Sequence, residues 1–90
     1  MSEPEDIVAV PPVMQGFIEG MRQAAKQKWI EAATTFSARA MINKDVAIAC
    51  GEAGFSEAMV YYRNKAAWLL AQALNCMAQS VRVDSIGKQQ

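Results

Sequence analysis

At 90 residues the chain makes one domain, too short to divide into two cores. Nine basic and nine acidic residues give a formal net charge of zero, so the total charge demands neither nucleic acid nor an anionic membrane. Apolar residues make up 52% and charged residues 20%, a balance that favours folding over disorder, and there is no histidine to act as general base or metal ligand.

Residues 1–11 open with Glu3, Glu5 and Asp6, continue through Ile7, Val8 and Val10, and end at Pro11. Pro11 and Pro12 bar a helix from running through, since a proline ring pushes the residue before it out of the α region. The segment is expected to be a mobile arm that docks on its own domain or a neighbour, or simply frays. Pro12 suits a first helical turn. From there Met14, Phe17, Ile18, Met21, Ala25, Trp29, Ala32, Phe36 and Ala40 recur at helical spacing, predicting a first helix to about Met41 with these residues on its core face. Gly16, Gly20 and Ala24 form a row of small residues, which marks either close helix packing, the reading favoured here, or a weak, bendable first half of the helix. Residues 28–41, KWIEAATTFSARAM, resemble the second helix of a tetratricopeptide repeat, with Trp29, Ala33 and Ala40 at the packing positions. The resemblance covers one helix, lacks the usual proline after it and does not recur; it implies a peptide-binding helical module.

Asn43-Lys44-Asp45 predicts a break, with Asp45 as N-cap of a short helix over 46–50. The alternative is a first helix that continues to Cys50. Gly51 and Gly54 bracket a turn, Ser56 is a candidate cap and Glu57 suits a first turn. The last helix, 56–81, is the most apolar stretch. Phe55, Met59, Tyr62, Ala66, Leu69, Leu70, Ala73, Leu74, Met77 and Val81 are assigned to its core face. Val60, Ala67, Ala71 and Ala78 fall on an adjacent flank, and Tyr61 and Trp68 on a polar back. The helix should fade near 80–83, leaving 84–90 as a flexible tail and 12–83 as the helical domain. The expected fold is all-α: an antiparallel hairpin of two long helices, with a short third helix between them if the chain breaks at Asn43.

Chemistry is sparse. Cys50 and Cys76 are too far apart for a CxxC motif and sit in apolar surroundings, which suggests buried free thiols. No phosphate-binding loop or clustered carboxylates appear. Tyr61 and Lys65 spell the Y-x-x-x-K pair of short-chain dehydrogenases, but without that family's strands and glycine-rich loop. No enzyme activity, cofactor or metal is expected. The acidic, proline-containing N-terminus is unlike a cationic leader and no run is long enough to span a bilayer, so a cytoplasmic location is expected.

Such a thin hairpin offers more apolar surface than it covers. The expected function is therefore a small interaction protein: an adaptor, an export-type chaperone or an inhibitor. Tyr61 and Trp68 would anchor a partner, with Val60, Ala67 and Ala71 as the close-contact flank. A homodimeric four-helix bundle would bury the same surface. The alternative is a nucleic-acid-associated dimer using Arg22, Lys26, Lys28, Arg39 and Lys44, against which only Glu31 stands between residues 20 and 44.

Overall fold

The computed structural model describes residues 11–88, with side chains through Ser85. Two helices make up the fold: α1, Pro12–Glu52, and α2, Ser56–Lys88. Pro12 occupies the first turn of α1, and the carbonyl of Pro11 accepts its first hydrogen bond, from the Gln15 amide at 3.0 Å. The expected arm lies mostly outside the described residues.

The predicted break at Asn43 does not occur, and among the described residues there is no third helix. Asn43 turns its amide back onto the Arg39 carbonyl, 2.8 Å away and one turn earlier, so it bonds within the helix instead of opening it. Lys44 and Asp45 face outward, while Val46 and Ala47 carry the packed face across the site. The propensity cost of Asn and Asp is a few tenths of a kcal/mol each, small against continuous packing on the other helix.

The chain reverses at 53–55. Gly54 has φ +87°, a left-handed conformation natural to glycine. Its amide donates to the Gly51 carbonyl at 3.1 Å, and the Phe55 amide donates to the Cys50 carbonyl at 2.8 Å. This pair of bonds is a Schellman motif, which satisfies the last carbonyls of α1 while turning the chain. Ser56 is already helical and so does not cap α2. The first α2 bond runs from the Met59 amide to the Phe55 carbonyl at 2.9 Å, and Glu57 lies in the first turn as expected.

Beyond the turn the helices lie along each other as a hairpin. Gly51 faces Met59, Phe36 faces Trp68, and Lys26 faces Asp84. The buried hydrophobic residues are Ala33, Ala40 and Ala47 on α1, and Leu69, Ala73 and Cys76 on α2. The alanines of α1 are seven residues apart. On α2, Met59, Ala66, Ala73 and Ser80 repeat at seven, interleaved with Tyr62, Leu69, Cys76 and Val83. These are the heptad seams of a coiled coil, built mainly from small side chains. Ser80 is 3% exposed, yet its hydroxyl donates to the Met77 carbonyl at 2.7 Å, so its burial leaves no polar atom stranded. Cys50 is half-buried and Cys76 buried, and both are free thiols.

The open end of the hairpin is clamped by charge. Asp84 accepts from Lys26 at 2.7 Å and from Arg22 at 3.4 Å. Arg22 also binds Glu19, whose carboxyl the Arg22 and Gln23 donors hold below its ordinary range. Ser85 bonds back to the Val81 and Arg82 carbonyls. Under these contacts α2 continues to Lys88, past the point where the sequence lets it fade. α1 runs ten residues beyond Arg22 whereas α2 runs four beyond Asp84, so the first turns of α1 project past the end of α2. Neither Gly16 nor Gly20 has anything within 4 Å of where a Cβ would sit, so the expected close packing at this small-residue row is absent among the described residues.

Two outcomes follow for stability in urea or thermal melts. Ala40→Leu would wedge the seam apart and destabilise the hairpin by about 1–3 kcal/mol; an unchanged midpoint would mean the seam is not tightly packed. Gly54→Ala should cost about 1 kcal/mol, whereas Gly20→Ala should stabilise by up to roughly that amount, because only the former is held at positive φ.

Candidate interaction surface

The side chains that a core would normally enclose lie outside. Leu70, Leu74, Met77 and Val81 are half to two-thirds exposed on α2, as are Met41 and Ile48 on α1. The sequence reading placed Leu70, Leu74, Met77 and Val81 in the core, along with Phe55, which is 65% exposed. Met14, Phe17, Ile18 and Met21 were likewise assigned to the α1 core face. They lie on or beside the projecting first turns and are exposed.

The cause is the period of the packing. A seam that repeats every seven residues turns slightly faster than a straight 3.6-residue helix. Over six turns the true contact row therefore drifts from the row plotted at 100° per residue, and residues one step from the seam move to its edge. Exact sevenfold spacing of small residues, Ala33, Ala40, Ala47 and Ala66, Ala73, Ser80, was the signal that could have separated seam from flank.

Stepping one residue on from each seam position gives a second row on each helix. On α2 it reads Val60, Arg63, Ala67, Leu70, Leu74, Met77, Val81 and Asp84; on α1 it includes Ile30, Ser37, Met41, Lys44 and Ile48. Both rows open on the same side of the hairpin. There a groove of about 630 Å³ is walled by Ser37, Met41, Lys44 and Ile48 from α1 and by Met59, Arg63, Ala67 and Leu70 from α2, with Ala40, Ala47 and Ala66 at its base. Its walls are nearly all apolar, apart from Lys44, Arg63 and the Ser37 hydroxyl.

The five residues expected to bind a partner do not form one patch. Ala67 lines the groove, while Val60, on the same row by spacing, lines a separate shallow pocket with Ser56, Glu57 and Tyr61. Ala71 is exposed further round the helix. Tyr61 and Trp68 share another row, away from the groove. Trp68 packs edge-on against Phe36, with centroids 6.4 Å apart and planes at 83°. Tyr61 stacks edge-on with Tyr62 at 5.0 Å, with the Lys65 ammonium 5.9 Å from its ring. Trp68 thus helps join the helices while remaining 57% exposed, and Tyr61 contacts its own helix. The five cations of the alternative reading are also dispersed. Arg22 and Lys26 bind Asp84, Lys44 lines the groove, and Lys28 and Arg39 lie on other exposed rows of α1.

Among the described residues no group of three or more Cys, Asp or Glu is placed to hold a metal ion, and no helix is long and apolar enough to cross a membrane. Trp68→Ala should lower hairpin stability by about 1 kcal/mol or more through loss of the aromatic pair and its buried area, while Tyr61→Ala should stay within about 0.5 kcal/mol. Equal effects in denaturant melts would show that Trp68 does not bridge the helices. Comparison of the chain with protein-family models, curated proteins and solved structures finds no match, so the functional reading rests on this exposed apolar side of the hairpin.

Proposed function

We propose that the chain is a non-enzymatic protein–protein interaction module. It acts as an antiparallel helical hairpin that presents its groove-side apolar row to a helical partner. One observation carries the reading: Leu70, Leu74, Met77 and Val81 stand exposed at spacings of four, three and four. That spacing is the knob row of a helix–helix seam, so the complementary surface is itself a helix. Contiguous exposed apolar rows of this kind mark interaction sites on small soluble domains. The anchors move accordingly from Tyr61 and Trp68 to Leu70 and Leu74, with Val60 and Ala67 retained as close-contact positions. Two free thiols accord with a reducing compartment such as the cytoplasm.

The test is a photo-crosslinking amino acid placed at Leu74, with the outward-facing Glu31 as control, in cells that make the protein. A discrete covalent product at Leu74, of the chain's own doubled mass or of another protein, is expected, with none at Glu31. Equal yields at both positions, or none at Leu74, would overturn the reading.

A further inference from the structure

The geometry points to a second copy of this chain as the occupant of the groove. The copies pack groove to groove, with their turns at opposite ends, and close a four-helix bundle. This rests on the interaction reading above and names its partner.

Three observations carry it. The first is angular. On each helix the second row is offset from the buried seam by one residue, a rotation of about 100°. In a square four-helix bundle each helix has two neighbours, seen at about a right angle to one another. α1 and α2 each meet the other on one seam, and both second seams open on the same side. Two hairpins laid face to face would therefore fill every seam.

The second is the pattern along α2. Positions 60, 63, 67, 70, 74, 77, 81 and 84 are spaced identically in both directions. With the copies reversed, Leu70 meets Leu74 of the second copy and Ala67 meets Met77. Arg63 comes within a turn of Asp84, placing opposite charges together at both ends of an apolar centre. With the turns at the same end, Arg63 and Lys44 of both copies would gather at one level, which like-charge repulsion disfavours.

The third is exposure. Met41 and Ile48 on α1 and Leu70, Leu74, Met77 and Val81 on α2 are 45–68% exposed in the single chain, a row of large apolar side chains left uncovered on one side of the hairpin.

The experiment is sedimentation equilibrium on the purified full chain between about 1 and 100 µM, with circular dichroism on the same samples. Twice the 9.8 kDa chain mass is expected. Leu70→Glu should abolish the dimer. Arg63→Asp supplies a milder probe that leaves the apolar row intact. It should remain helical and raise the dissociation constant about tenfold at low salt, with the difference shrinking as salt rises. A wild-type monomer across the range, or a dimer indifferent to Leu70→Glu, overturns the proposal. So does an unchanged or tighter Arg63→Asp dimer, which would mean the turns do not lie at opposite ends. If the pure chain is monomeric yet Leu74 still crosslinks to a different protein in cells, the second copy is wrong and the interaction reading stands. If Leu74 crosslinks to nothing, both fall.

Discussion

The close approach of two helices over small side chains governs this molecule. Ala33, Ala40 and Ala47 meet a seam whose own small members are Ala66, Ala73 and Ser80. Layers of these small residues alternate with layers that hold larger side chains such as Phe36, Tyr62 and Leu69. Among the described residues Leu69 is the one large side chain fully enclosed. The remaining bulky apolar residues are driven to the edges, where they widen the face instead of filling the interior. The seam thus sets both the closeness of the hairpin and the character of its surface.

A seam of alanines buries little area per layer, so burial alone specifies register weakly. The register is supported at three levels along the hairpin. The Schellman turn, with glycine at positive φ, fixes the reversal. Phe36 and Trp68 meet edge-on midway, and Asp84 bridges Lys26 and Arg22 at the far end. A slip of one seven-residue repeat would keep the alanines matched but would separate the aromatic pair and strand the ion pairs. Polar and aromatic contacts therefore choose among registers that the seam leaves nearly equivalent.

Much of the fold was legible because its signals are local. Pro12 fixes φ at a helix start, and Gly51 and Gly54 punctuate the turn whatever the helices do next. Helical composition and spacing declared two long helices. What misled was any inference that depended on the partner helix. Asn43 and Asp45 look like a break in isolation, but the seam running through Ala47 holds the helix straight across them. Leu70 and Leu74 look like core because they are large and apolar. Only the sevenfold repeat of small residues beside them reveals that the interior was reserved for alanine. Tyr61 and Trp68 appear equivalent as an exposed pair, yet Trp68 finds Phe36 across the seam while the ring partner of Tyr61 is Tyr62 of its own helix.

The tight turn has a further consequence for how the chain assembles. It brings Gly51 against Met59, only eight positions apart in sequence, whereas Lys26 and Asp84 are 58 positions apart. Closing the far end first would mean ordering that whole loop at once. Closing from the turn outward means that each new rung is made between segments the previous rung has already brought together. The hairpin is thus built to zip, with the reversal at Gly54 as its starting point and the charged clamp as its last closure. A long, thin fold assembled in this order needs few distant encounters, despite pairing residues from nearly opposite ends of its described length.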